Sequence, residues 1–293
     1  MFIFFLFVIF LLTIYSLKCK YLKKETFKSN NPKKIAFCFL IYKKIFHEDL
    51  WYKYLKNIDL NKYNIYIHYK EDEPLKYFEK NKLNQNINTC WGCLSIVQAQ
   101  NLILKQALKD QDNQHFIWLS DSCIPIKSFN YIYNYLDTKK SYYNICPDNQ
   151  VFPRANKILK FVKRSNIKKA NMASVINRKH ATLFVNNDDN INSWFKDINN
   201  VDEIVYITLL FHNNLQNELV LTQNIAAGSI IFAQWADMIN YKVFNNSKKI
   251  NDYTYKYICP EELKYLISSK SLFARKFIED CNGLENLLDL IKN

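Results

Sequence analysis

Glycine is nearly missing from this chain, with 3 in 293 residues, and proline is scarce at 6. That scarcity excludes collagen-like, Gly-linker and Pro-rich architectures. It also leaves no Rossmann-type glycine fingerprint and no P-loop, so classical dinucleotide or P-loop phosphate chemistry is set aside. Charge is absent from Met1–Leu17, which is largely apolar. No basic n-region precedes that run and no small-residue cleavage site follows it, which argues against a cleaved signal peptide. Its length lies at the short edge of what spans a bilayer, and an unbroken apolar run lacks the polar face of an ordinary core helix. The expectation is a single-pass transmembrane signal-anchor over 1–17, a basic stem over 18–33 and a folded domain over 34–293.

What is present is globular material. Hydrophobic residues make up 49% and charged residues 23%, with a net charge of +13, which is not the composition of a disordered tail. Lys18, Lys20, Lys23, Lys24, Lys28, Lys33 and Lys34 gather behind the apolar run with only Glu25 opposing them. A basic surface suits an anionic partner, whether a nucleotide diphosphate, a nucleic acid or lipid headgroups, and an Asn- and Lys-rich coding bias would produce the same excess. Eight cysteines permit disulfides without requiring them. Cys90-Trp91-Gly92-Cys93 is a lone pair with no second CxxC or suitably spaced His, so packing or a local disulfide is expected ahead of metal binding.

Strand and helix patterns alternate beyond the stem. Lys34–Tyr42 is a continuous apolar run, as for a strand buried on both faces. His47–Leu55 reads as a helix, Tyr63–Tyr69 as a strand and Phe116–Ser120 as another. Ser95-Ile96-Val97-Gln98 has the form of a capping box, opening a helix with Ile96, Ala99, Ile103 and Ala107 on one face. Further on come a strand near Ser174–Asn177, helices from Lys179 and Glu203, a strand over Ser229–Trp235 and an Asn/Lys loop over Asn245–Asp252. A helix opened by Pro260-Glu261-Glu262 and a last helix from Leu284 complete the pattern. One α/β domain with a mostly parallel central sheet and flanking helices is expected.

A set of short strings lies in order along this pattern: Ile35–Ile41, Tyr66–His68, Trp91-Gly92, Ser95–Ala99, Leu119–Ile126 (LSDSCIPI), Val201-Asp202-Glu203, Trp235 and Leu272–Phe277 (LFARKF). Together they resemble the core-2/I-branching β-1,6-N-acetylglucosaminyltransferase family (glycosyltransferase family 14), and most of all its plant-type branch. The resemblance covers about residues 34–280. It implies a GT-A-like nucleotide-sugar fold, usually on an anchor in the Golgi or secretory lumen, and inverting transfer from a UDP-sugar without a metal. A metal-dependent enzyme of that type carries an Asp-x-Asp pair at a strand end; the expectation is that this chain has no such pair, the nearest acidic run being Glu71-Asp72-Glu73. Cations must then neutralise the departing diphosphate.

The resemblance gives that role to Lys276 with Arg275, and to Lys256 where the animal branch has Arg. It makes Glu203 the base that takes the acceptor hydroxyl proton, with Asp202 a candidate N-cap beside it. Ser120 and Asp121 follow a buried strand and are expected at the donor pocket. His68 and Gln100 are expected around the nucleotide, although relatives commonly carry an acidic residue in place of Gln100. Trp235 is a candidate stacking surface for an acceptor sugar. Each has a plainer reading: helix-start chemistry for Asp202-Glu203, a turn for Asp121, core packing for His68 and Trp235, solvent-facing lysines for Lys256 and Lys276.

Asn171-Met172-Ala173-Ser174 stands where relatives carry an aromatic, so the acceptor does not transfer from any of them, and N-acetylglucosamine and xylose both stay open as the donor sugar. No cofactor is expected beyond the UDP-sugar as co-substrate. The expected partners are that donor, a glycan or glycoprotein acceptor and the membrane, with no nucleic acid. A non-catalytic sugar- or nucleic-acid-binding membrane protein is the alternative. The lysine flank favours a cytosolic domain and the resemblance a lumenal one, with Asn245-Asn246-Ser247 as a glycosylation reporter.

Overall fold

The computed structural model describes residues 33–222, 230–233, 244, 246–251 and 254–292. The expected anchor and nearly all of the stem, together with Trp235 and Asn245, lie outside them. No helix among the described residues is long and apolar enough to cross a membrane. Lys33–Asn293 forms one compact unit, in keeping with a single folded domain.

The strands are β1 (Lys34–Ile41), β2 (Tyr63–Tyr69), β3 (Asn113–Ser120), β4 (Ile124–Pro125), β5 (Ser141–Asn144), β6 (Val175–Asn177), β7 (Leu219–Thr222), β8 (Ile231–Ala233), β9 (Lys248–Asn251), β10 (Thr254–Tyr257), β11 (Phe273–Arg275) and β12 (Phe277–Asn282). Among the described residues the main sheet has the order β2-β1-β3-β6-β5-β7. β1 pairs in parallel with both β2 and β3, β6 is antiparallel to its two neighbours, and β7 runs parallel to β5. The sheet is therefore mostly parallel with one reversed strand, in agreement with the expected α/β architecture. Two three-stranded sheets, β4-β11-β8 and β12-β10-β9, flank it.

β1 reads as an unbroken apolar run because both of its faces are covered. Ile35, Phe37, Phe39 and Ile41 enter one core with Trp51, Ile67, Phe273 and Phe277. Ala36 and Cys38 enter the other, with Val97, Trp118, Phe184 and Val205. Trp51 stacks on Phe273 at 6.0 Å between ring centroids and donates its indole N–H to the Cys123 carbonyl at 2.9 Å. These contacts tie the helix Glu48–Leu55 to the turn after β3 and to β11, the elements that build the site.

Several local expectations are corrected. The capping box does not form: the helix Leu94–Ala107 begins after Cys93, and the Ser95 hydroxyl accepts from the Cys90 N–H at 3.0 Å instead. Asp202 caps no α-helix; Val201–Glu203 is a 3-10 turn and the following helix spans Val205–His212. Within the expected loop 245–252, Lys248–Asn251 pairs as β9 with β10. The last helix is only Leu287–Leu290. The helix of Pro260–Ser268 has Pro at its first turn, as expected.

Candidate functional site

β3 ends at Ser120, and the chain turns through Asp121-Ser122-Cys123 into β4. The Ser120 amide donates to Cys123 Sγ at 3.3 Å, and the Ser120 and Ser122 hydroxyls meet at 3.1 Å. β4 pairs with β11 through Ala274 and Ile124, and β11 pairs in parallel with β8 through Arg275 and Ala233. The Phe277 N–H donates to the Ser122 carbonyl at 3.1 Å. Arg275 and Lys276 are thereby bracketed between the β3 turn and β8. Burial raises the Asp121 carboxyl above its usual range while the Arg275 guanidinium opposes that shift. Burial, and next the Arg275 charge, lower the Lys276 ammonium. Arg275 Nε is buried with no hydrogen-bond partner among the described residues, a donor in want of an acceptor.

A cavity of about 520 Å³ opens beside these cations, lined by Trp91, Asn171, Asp202, Glu203, Arg275 and Lys276, with Leu40 and Ile96 among its apolar walls. Its acidic wall is held by a backbone latch. Asn200 takes the left-handed conformation (φ 52°) and donates its N–H to the Gly92 carbonyl at 2.8 Å. Gly92 has φ 71°, and a β-carbon there would fall 2.5 Å from Asn200 Oδ1, so only glycine suits the position. The turn Val201–Glu203 follows, and the Ala170 N–H donates to the Glu203 carbonyl at 2.8 Å. Lys169 Nζ lies 3.4 Å and Arg154 Nη1 3.9 Å from Glu203 Oε2.

Asp202 carries no such ion pair among the described residues. Burial first, and the neighbouring Glu203 second, push its carboxyl up to about 6, against the Arg275 and Lys169 charges. An unfolded aspartate titrates near ~3.9. Below that value both states are protonated and the shift has no effect on stability; as pH rises from there to about 6 the native state progressively loses stability, and above about 6 the loss is complete. Asp202→Asn should therefore stabilise the protein at pH ~8 by on the order of 2–3 kcal/mol more than at pH ~4. Urea unfolding at the two pH values measures this, and an equal effect at both would contradict it.

The structure brings Glu203, Lys276 and Arg275 to one cavity, with Asp121 under the electrostatic influence of Arg275. The other expected residues that are described lie outside that lining. Ser120 is buried in the turn. His68 is buried at the end of β2, its Nε2 accepting from the Ile87 N–H at 3.0 Å and its Nδ1 without a partner among the described residues. Burial lowers it to about 4, so it is a neutral imidazole near pH 7. Gln100 is fully buried, both amide atoms lacking a partner among the described residues. Lys256 is exposed on β10. Trp235 falls outside the described residues.

Sequence reasoning missed Trp91, Arg154 and Lys169 as site residues. Trp91 is 86% exposed while lining the cavity, a signal that only exposure reveals. Cys90 and Cys93, on either side of it, form a disulfide.

The acidic residues named for a metal are engaged elsewhere. Glu71 pairs with Lys43 at 2.8 Å and Asp72 with Lys82 at 2.8 Å. The chain does hold one Asp-x-Asp string, Asp110-Gln111-Asp112, but it precedes β3 at the opposite end of the strand from the cavity. There Asp110 binds Lys34 at 2.9 Å and the Asn64 amide at 2.8 Å. Among the described residues no group of three or more His, Cys, Asp or Glu side chains is placed to hold a metal.

Residues 35–266 match the family model described as Core-2/I-Branching enzyme. Over 175 residues, 53% of this chain, the sequence is 26% identical to a protein of Oryza sativa subsp. japonica described as glycosyltransferase BC10. That match covers 41% of the rice protein, so the chain spans about two fifths of the length of this curated relative. Among solved structures the chain is similar to an active-site mutant of LgtC, at a TM-score of 0.45 and 10% identity over 87% of this chain and 94% of that one. It is also similar to the galactosyltransferase LgtC bound to donor and acceptor sugar analogues, at a TM-score of 0.39 and 8% identity over 65% and 74% of the two chains.

Proposed function

Because the chain belongs to the core-2/I-branching enzyme family, we propose that it moves a sugar from a UDP-sugar to a hydroxyl of a glycan or glycoprotein, with inversion and without a metal ion. The observation that carries this reading is one cavity whose lining holds both Asp202 and Glu203 and Arg275 and Lys276. Glycosyl transfer needs both kinds of group at once. As the acceptor oxygen attacks the anomeric carbon, its proton passes to the Glu203 carboxylate. The diphosphate leaves from the opposite face, and its growing negative charge falls beside the Arg275 guanidinium and the Lys276 ammonium. Fixed cations in a half-buried pocket supply this stabilisation without reorganising at the moment of bond breaking.

The indole of Trp91 at the cavity mouth offers a flat apolar face for a sugar ring. N-acetylglucosamine and xylose are the donor sugars this reading favours. Membrane attachment through Met1–Leu17, with the domain in a secretory lumen, belongs to the same proposal.

The test is turnover of a panel of UDP-sugars, with release of UDP followed in the presence and absence of EDTA. The expected result is UDP release from one or two members of the panel at a rate that EDTA leaves unchanged. Release abolished by EDTA and restored by Mn²⁺ would overturn the metal-free clamp, and no release from any member would overturn the transferase reading.

A further inference from the structure

Through its ion pairs Glu203 is linked to a second opening. That opening is a cleft of about 690 Å³, lined by Gln150, Phe152, Arg154, Asn156, Lys157 and Lys169 together with Asn149, Asp197 and Asn199. Two of those residues are the cations that contact Glu203 Oε2, Lys169 at 3.4 Å and Arg154 at 3.9 Å. Lys169 Nζ also reaches Gln150 Oε1 at 3.1 Å. Lys157 is exposed on the rim. The lining thus combines three cations against one carboxylate, several side-chain amides and an aromatic edge.

That combination has a chemical meaning. The cations call for an anion, and the amides supply donors and acceptors in the mixed pattern that sugar hydroxyls require. An acidic peptide would use the charge but leave the amides little to bind. A second lysine-bordered cleft, around Lys80, Lys82, Lys105 and Lys109, does not compete for the role. There Lys82 pairs with Asp72 and Glu79 and Lys105 with Asp188, none of which lines the cavity of Glu203, whereas Arg154 and Lys169 pair with Glu203 itself.

We propose that the cleft of Arg154, Lys157 and Lys169 is an acceptor subsite for an anionic glycan, one carrying uronate carboxylates next to the sugar that receives the new residue. The assignment rests on the reading of Glu203 as the acceptor's base. A carboxylate bound there would compete with Glu203 for Lys169 and Arg154. Occupancy of the subsite then loosens the ion pairs on the base just as the acceptor hydroxyl arrives.

The experiment titrates full-length protein with tetragalacturonic acid, with cellotetraose as the neutral counterpart, and with UDP. Tetragalacturonate should bind at least about tenfold tighter than cellotetraose, and its affinity should fall severalfold between about 50 and about 300 mM salt. Lys157→Glu should weaken it about tenfold while UDP affinity and the unfolding midpoint stay at wild-type values. Equal binding of the two tetrasaccharides, or no effect of Lys157→Glu, would overturn the proposal, and hexaglutamate binding as tightly as tetragalacturonate would overturn the glycan assignment. Wild-type protein that takes UDP but not tetragalacturonate overturns the cleft alone. Protein that takes tetragalacturonate but not UDP overturns the donor site and the acceptor role with it.

Discussion

Glu203→Gln should lower the rate of transfer by roughly 10²–10⁴-fold while leaving UDP affinity nearly unchanged. The glutamine keeps the shape of the side chain and an oxygen for Lys169 and Arg154, but it cannot hold the acceptor's proton. The cations proposed to hold the diphosphate belong to another element, β11 and the residue after it, so ground-state donor binding is insulated from the change. The measurement is the transfer rate at saturating donor and acceptor, beside a UDP titration of the same preparation. Asp202 supplies the internal control. It lines the same cavity, and its carboxyl titrates at about 6, close to working pH. If Glu203→Gln retains the wild-type rate and Asp202→Asn does not, the proton goes to Asp202 and the assignment of the base is wrong.

The second large effect concerns the diphosphate. Lys276→Ala should weaken UDP binding and transfer together, at a cost on the order of 2–4 kcal/mol in transfer. The joint loss follows because, in the proposed complex, the ammonium faces the diphosphate both before and during bond cleavage, so ground and transition states lose it alike. Lys276→Arg keeps the charge and should recover part of the loss, since the compact ammonium and the planar guanidinium do not place their donors alike. UDP affinity unaffected by Lys276→Ala would remove that lysine from the clamp. Arg275, whose Nε is buried without a partner among the described residues, would then be the cation to replace.

What could be read in the sequence depended on how local its cause was. β1 was legible because burial on two faces writes itself as uninterrupted apolar residues, and Pro260-Glu261-Glu262 announced a helix through the geometry of its own first turn. Ser95 misled because its hydroxyl has two available uses. The Cys90 amide, brought close by the Cys90–Cys93 turn, takes it in place of a helix amide. Lys248–Asn251 misled because a mostly exposed edge strand has no apolar pattern to show.

The site divides in the same way. Arg275, Lys276 and Glu203 were found through strings that a family resemblance could match. Arg154 and Lys169 meet Glu203 from well upstream in the chain, in stretches that no string marked. Trp91 sat inside a marked string, yet its role as a wall of the cavity follows from its exposure, which spacing does not encode.

The placement of β11 has a consequence for biosynthesis. A ribosome delivers β1, β2, β3 and β6 long before it delivers Phe273–Arg275, which must slot between β4 and β8. A nascent chain that has emerged as far as the Asp202–Glu203 turn therefore possesses these carboxylates, with Arg154 and Lys169 beside Glu203, before Arg275 and Lys276 are made. If Arg275 and Lys276 hold the nucleotide as proposed, it can stabilise only a chain that has been translated through Lys276, because binding lowers the free energy of the folded form alone. Until then the turn beyond β3 and the ring of Trp51 lack the partner strand that closes over them. On that reading the donor becomes a folding ligand only in the last moments of synthesis.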